Sequence, residues 1–284
     1  MGYKAQSRPL GGQQRPHFAT PVASCNAFSL DSAPASFQKL PISDFAYSGT
    51  ELDAVAEAHN YYRWITDRFA PFLGRRIAEA GAGIGTVSEL LHERAAPEAM
   101  LLIEPDRGNA QALERRFAKD ARVSVHYGYL EDADPAFGAD TIVAVNVLEH
   151  VERPAGFLEA AYATLVPGGA LLILVPAVPA LYGSLDKAFE HYRRYTRPEL
   201  EKDLSDAGFE IEQLHYMNLV GIAGWFVAGR LMRRTTLGRG QVRFYDRWVI
   251  PWLRRVESVV HPPLGQSLIA VARKPETPAH RRKS

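Results

Sequence analysis

Between residues 76 and 175 the chain alternates short, nearly continuous apolar runs with longer stretches in which apolar positions recur every three or four residues. The runs near 76–80, 100–104, 122–127, 140–145 and 170–175 have the length and continuity of strands buried on both faces, and the stretches between them read as helices. Strands interleaved with helices predict an α/β fold with a parallel sheet covered on both sides. Two further strand-like runs, 209–216 and 267–273, are separated by about fifty residues without a clear crossover-helix pattern. Ahead of the first strand, Thr50 with Asp53 resembles a capping box. Leu52, Val55, Tyr62, Ile65 and Phe69 then share one helical face, with Asn60, Tyr61 and Trp64 on the other. No internal repeat is visible.

The first apolar run ends in an unusual way. Residues 77–85 read Ile-Ala-Glu-Ala-Gly-Ala-Gly-Ile-Gly, so Glu79 closes the run and Gly81, Gly83 and Gly85 follow at alternate positions. Val87, Leu90 and Leu91 then take helical spacing. A strand, a tight glycine turn and a helix start offer free backbone N–H groups and a partial positive charge to a small ligand with an anionic end. The dinucleotide fingerprint requires a third glycine where this chain has Thr86. Glu104 ends the second run, 23 residues after Gly81. A doubly wound fold places a carboxylate for ribose hydroxyls at about that point.

With Glu79 two positions before its first glycine, the turn resembles the first motif of class I S-adenosylmethionine-dependent methyltransferases. "NVLEHV" at 146–151, a helix, and "LVPGGALLILVP" at 165–176 extend the resemblance, which covers residues 46–216 and the final strand. It implies a doubly wound, seven-stranded, mostly parallel sheet with an antiparallel last strand and helices on both faces. An N-terminal helix and a helical insertion before the last strand are added to that frame. It also implies S-adenosylmethionine as cofactor, with Glu79, Gly81, Gly83 and Gly85 at its methionine end and Glu104 on the ribose. The family places an acid after the glycine of its adenine motif. Here Tyr129 follows Gly128, so the backbone of Leu130 and the acid Glu131 or Asp132 stand in. Asn146, at a strand end, is expected to face the methionyl group or the methyl in transfer.

For acceptor and proton chemistry the chain offers His150, in "NVLEHV", and His191, in "DKAFEHYRRYT" at 186–196. Imidazole suits a general base near neutral pH. The structural alternatives are a His150 bonded to the backbone and a His191 bonded to Asp186 or a carbonyl. Arg193 and Arg194 are candidate clamps for an anionic acceptor, or partners of Glu190 and Glu199. Tyr47, Tyr61, Trp64, Tyr182 and Tyr192 are candidate acceptor walls. No residues are read as metal ligands.

Composition narrows the function. The 284 residues carry a net charge of +1, which disfavours a broad nucleic-acid footprint. A base-amine methyltransferase is further disfavoured by "NVLEH" in place of Asp/Asn-Pro-Pro-Tyr. A nicotinamide oxidoreductase is disfavoured by Thr86 and by the antiparallel tail, and a protein methyltransferase or a catalytically silent S-adenosylmethionine-binding protein stays open. The one cysteine, Cys25, forms no internal disulfide and fits a reducing, cytoplasmic setting. No run of 18 apolar residues is present.

Residues 1–45 read as a flexible leader, 46–275 as the methyltransferase-like domain and 276–284 as a basic tail. The insertion, 217–263, mixes apolar and aromatic residues with eight arginines between Arg230 and Arg255 against one acid, Asp246. It reads either as a helical cap over the sheet or as a peripheral contact with an anionic membrane. The expected acceptor is a small or lipid-like molecule, methylated at oxygen, nitrogen or carbon, and no nucleic-acid partner is expected.

Overall fold

The computed structural model describes residues 57–276. The leader, Tyr47, the capping box at Thr50 and Asp53, Leu52, Val55 and the tail beyond 276 lie outside the described residues. Seven strands form one sheet: β1 (Arg76–Ala80), β2 (Ala99–Glu104), β3 (Val123–Tyr127), β4 (Ala139–Val145), β5 (Leu165–Pro176), β6 (Glu210–Met217) and β7 (Ser267–Arg273). Their order is β3-β2-β1-β4-β5-β7-β6. Neighbours from β3 through β5 pair in parallel, and β7 lies antiparallel between β5 and β6. The seven strands expected from sequence are all present. One difference is local. The strand expected near 170–175 starts earlier, and residues 165–169 already belong to β5, where Leu165 pairs with Ala139 ahead of a register shift. The Gly168 N–H and the Lys274 N–H exchange bonds with Lys274 and Gly169 carbonyls, so the glycines bend this strand end onto the chain leaving β7.

Helices cover both faces because strand side chains alternate. Ala78, Ile142, Ala144, Leu171 and Ile173 face one side, where α4 (Pro154–Thr164) and α6 (Arg197–Asp206) supply Phe157, Leu158, Leu200 and Leu204. Ile77, Met100, Leu102, Val143, Leu172 and Leu174 face the other. There α1 (His59–Phe69), α2 (Thr86–Ala95) and α3 (Arg107–Phe117) supply Ile65, Phe69, Val87, Leu91 and Leu113. These strands are buried on both sides, which is why they read as continuous apolar runs.

The segment between β6 and β7 is helical. It holds α7 (Leu219–Trp225), which runs on as a π turn (Phe226–Leu231), then α8 (Arg239–Phe244), a second π turn (Tyr245–Val249) and α9 (Ile250–Glu257). A short α5 (Ser184–Ala188) sits in the loop after β5. Ile250, Tyr245 and Leu253 pack against α1 and bury the flank that periodicity alone leaves bare. Trp64 is therefore 1% exposed, a core residue and not an open acceptor wall.

The acids of this segment serve as helix caps. Asp246 accepts from the backbone N–H groups of Asn60 (3.0 Å) and Tyr61 (2.8 Å) in the first turn of α1. Glu257 accepts from Asn218 (2.9 Å) and Leu219 (3.0 Å) at the start of α7. Helix starts leave these donors without intrahelical partners. Removing the cap orphans buried donors, at a cost of about 1–3 kcal/mol. Asp246→Ala should therefore lower the urea midpoint by that much stability and loosen α1. An unchanged midpoint would show that α1 does not depend on this cap.

Candidate functional site

Strand order reverses between β1 and β4. The carboxyl ends of the two strands open a crevice there, the usual ligand position in open α/β sheets. The glycine turn fills one side. Gly81, Gly83 and Gly85 have φ of +69°, +55° and +88°. These are left-handed values that glycine takes without strain. Gly85 is also the residue before α2. Packing adds a second demand: a Cβ on Gly81 would stand 2.7 Å from a Val147 methyl, and one on Gly85 would stand 2.9 Å from a Leu113 methyl.

Two buried carboxyls face this turn. Glu104 accepts from the N–H groups of Gly83 (2.7 Å) and Asp106 (2.9 Å). Burial pushes its carboxyl up, and those two N–H groups partly offset the rise. Glu79 is 3% exposed and its Oε2 has no hydrogen-bond partner. Burial raises its carboxyl to about 8, with the Ser88 hydroxyl opposing. A buried carboxyl without a partner costs free energy unless a ligand satisfies it.

Across the crevice, Asn146 ends β4 at φ +54°, its N–H bonded to the Leu174 carbonyl (2.8 Å). A tight turn at Leu148–His150 follows. Leu130 opens another tight turn, Leu130–Asp132, just beyond β3; Leu130 is buried, and Glu131 and Asp132 are exposed.

The loop after β5 brings the second group of expected residues together. Asp186 is 0% exposed and is its hub. Its Oδ1 accepts from Arg194 Nε (2.6 Å) and lies 3.2 Å from His191 Nδ1. Its Oδ2 accepts from the Gly183 N–H (2.9 Å) and from Trp225 Nε1 (3.1 Å) on α7. Burial opposes ionisation of Asp186, but the His191, Arg194, Trp225 and Gly183 donors outweigh it and hold its carboxyl below the usual range. His191 meets His150 edge-on, with ring centroids 4.8 Å apart. Burial pushes His150 down to about 4, and His191 pushes the same way. Glu149 is 0% exposed, neither carboxyl oxygen has a partner, and burial raises it to about 8. Donor atoms of Glu149, His150 and His191 all lie within 4.8 Å of one another. His150 and His191 are expected as bases and none of the trio as a metal ligand, yet the spacing is one that a single divalent ion can bridge.

Several expected acceptor residues have structural partners. The Arg194 guanidinium bonds Asp186 and the Ala177 carbonyl, and stacks on the Trp225 ring at 4.8 Å. It does not pair with Glu190 or Glu199. Arg193 donates to the Val151 carbonyl (3.2 Å). Tyr182 donates to the His191 carbonyl (2.7 Å), and the Tyr61 hydroxyl lies 3.0 Å from Ser267 Oγ. Tyr192 alone of this group is largely exposed, at 56%. Trp225 escaped the sequence reading because it is 39 residues from Asp186. No local pattern marks such a partner.

Residues 55–214 match the methyltransferase domain family. The chain belongs to the class I S-adenosylmethionine-dependent methyltransferases. A ubiquinone biosynthesis O-methyltransferase of Xylella fastidiosa is 28% identical over 183 residues, 59% of this chain and 72% of that protein. A phosphoethanolamine N-methyltransferase of Haemonchus contortus, solved with S-adenosyl-L-methionine, shares the fold at TM-score 0.55 and 17% identity. It covers 84% of this chain and 61% of its own. A methyltransferase of Mesorhizobium loti aligns at TM-score 0.51 and 14% identity, covering 75% and 97%.

S-adenosylmethionine fits the residues present. The methyltransferase has an orphaned buried carboxyl, Glu79, suited to a cationic ammonium, and a second carboxylate, Glu104, suited to hydroxyl donors. Gly83→Ala puts a side chain on the left-handed turn that Glu104 closes. S-adenosylmethionine affinity by calorimetry should fall at least about tenfold, beside a stability loss of about 1 kcal/mol. Unchanged affinity in the folded variant would remove the turn from the cofactor site.

The half-buried His150 predicts acid sensitivity. Its folded value, about 4, lies below the ordinary 6.5, so the unfolded chain binds the proton first. The contribution is therefore fully present above about pH 6.5 and is lost as pH falls toward 4. His150→Gln should flatten that loss by on the order of 1–3 kcal/mol, read from denaturation midpoints at pH 7 and pH 4.5. Parallel curves for parent and variant would show that His150 is not buried neutral.

Proposed function

We propose that this methyltransferase moves a methyl group to an oxygen of a small, lipid-like acceptor, with His191 as general base. The carrying observation is His191 held at Nδ1 by the buried Asp186. An ionised Asp186 accepts the Nδ1 proton, which fixes the tautomer and leaves Nε2 as the basic nitrogen. The low basicity of His150 suits packing against His191 more than proton uptake. Glu149, its carboxyl raised to about 8 by burial, lies at the same place.

S-adenosylmethionine, when bound, supplies a methyl on a cationic sulfur, so the donor is already activated. The chain's tasks are to align the acceptor, exclude water and remove a proton. Alignment contributes up to roughly 7–11 kcal/mol in the best cases, and a general base about 100- to 10,000-fold. The name of the Xylella relative supports an oxygen acceptor of small size. Such an acceptor is met at a membrane surface, and the arginine-rich segment 217–263 is the part of the chain that suits one.

Methyl-labelled S-adenosylmethionine incubated with enzyme and a cell extract tests this reading. Label is expected in the organic phase. His191→Ala should lower that transfer about 100-fold or more with cofactor affinity by calorimetry unchanged. Label confined to protein or nucleic acid overturns the acceptor, and near-normal turnover of His191→Ala overturns the base.

A further inference from the structure

The segment between β6 and β7 forms a helical hairpin. Glu257, at the end of α9, bonds the first N–H groups of α7, and Arg234 donates to Gln241 (2.7 Å) near the start of α8. Its inner side is well used. Gly221 and Gly229 are buried, Trp225 bonds Asp186, and Asp246 and Glu257 cap helices. Its outer side is not. Of the sixteen large apolar side chains exposed among the described residues, thirteen lie between Leu219 and Leu264.

They form ordered rows. On α7 and its π turn, Leu219, Val220, Ala223, Phe226, Val227 and Leu231 fall on one helical face, and every one is exposed. On the rod from α8 to α9, Phe244, Trp248, Trp252 and Val256 recur every four residues at 52–71% exposure, and Val260 continues the spacing in the turn after α9. A four-residue repeat drifts around an α-helix of 3.6 residues per turn. The wider π turn at Tyr245–Val249 opposes that drift and keeps the aromatics on one side.

Charge follows the same rows. Arg243, Arg247 and Arg255 each precede a member of the rod's apolar row by one residue, and Arg247 stacks on the Trp248 ring. The segment 217–264 holds eight arginines and two acids, and both acids are buried as caps. Arg243 and Arg254 reach the body's Glu57 (3.5 Å) and Asp67 (2.5 Å), and the segment itself exposes no carboxylate, so its exposed surface is apolar and carries the remaining positive charge. A nucleic-acid groove needs the arginines but not two rows of outward aliphatic and aromatic side chains. An anionic bilayer needs both: phosphates at arginine height, and an acyl boundary for Trp, Phe, Leu and Val. No described helix is long and apolar enough to cross a membrane, so the contact is with the surface.

We propose that the outer face of this hairpin docks on a bilayer containing anionic phospholipid, with Trp248 and Trp252 entering the interface. The inference rests on the proposed lipid-like acceptor only for its purpose. Because Trp225 reaches Asp186 from the inner side of α7, the docked hairpin borders the site directly.

The full chain is floated with vesicles of phosphatidylcholine alone or mixed with phosphatidylglycerol. Flotation is expected with the anionic vesicles, weakened by salt, together with a blue shift of tryptophan emission. Trp248→Ser/Trp252→Ser should lower the bound fraction at least about tenfold while circular dichroism and S-adenosylmethionine affinity stay unchanged. Several results overturn the proposal: no flotation with the anionic vesicles, flotation that the double variant leaves intact, a stable dimer that the double variant dissociates without vesicle binding, and binding to single-stranded RNA in place of vesicles. Vesicle binding without methyl transfer to organic-extractable molecules removes the acceptor reading and leaves the docking face standing.

Discussion

The carboxylate of Asp186 is shut away from water and draws on two separate parts of the chain. Gly183, His191 and Arg194 approach from the loop after β5, and Trp225 from the hairpin between β6 and β7. A buried carboxylate is tolerated only when its lone pairs are filled by charged or strongly polar donors. Taking one donor away leaves an uncompensated charge, a loss of about 3–5 kcal/mol for a buried ion pair. That demand fixes the direction of the His191 ring, the place of the Arg194 guanidinium and the seat of α7. The loop, His191 and the hairpin are held by one electrostatic condition.

The same physics runs through the cofactor side with the opposite outcome. Glu79 and Glu149 are as buried as Asp186 but lack its set of donors, so their carboxyls rise to about 8. One lies at the glycine turn, the other beside the two histidines. Near the carboxyl ends of β1 and β4 the protein thus holds two under-satisfied acids, while the carboxyl of Asp186 is held low by its donors. Environment alone separates the three carboxyls by role. Strained or unsatisfied groups of this kind persist where a ligand completes them.

The hairpin shows how charge placement divides a surface. Its only acids turn inward to cap α1 and α7, which satisfies helix starts and ties the hairpin to the body. The arginines then have no acidic neighbours on the outer face within the segment. Inward capping and outward positive charge are two consequences of one distribution.

Much of this was legible in the sequence. The five parallel strands are continuous apolar runs because both faces of the sheet are covered, and burial on both faces leaves no polar alternation to confuse the reading. The glycine turn was legible because only glycine takes three left-handed positions in five residues. Glu79, Glu104 and Asn146 were legible as residues near strand ends, and the roles expected of them came from the family resemblance. His191 was legible as a candidate base, with Asp186 five residues before it. The rest depended on partners distant along the chain. Trp64 looked like a free helix face until α9 covered it, and the covering residues lie about 190 positions later. Arg194 looked like an acceptor clamp until Asp186 and the Ala177 carbonyl took two of its donors and the Trp225 ring took its face. Glu149 carried no signal as an acid without partners, because burial and missing donors exist only once loops from 146–151 and 177–196 meet. Sequence by itself determined the strand runs, the turn and the chemistry of the residues. Tertiary structure decided which of those residues are satisfied by one another and which are left for a ligand, because desolvation and hydrogen-bond completion depend on neighbours in space.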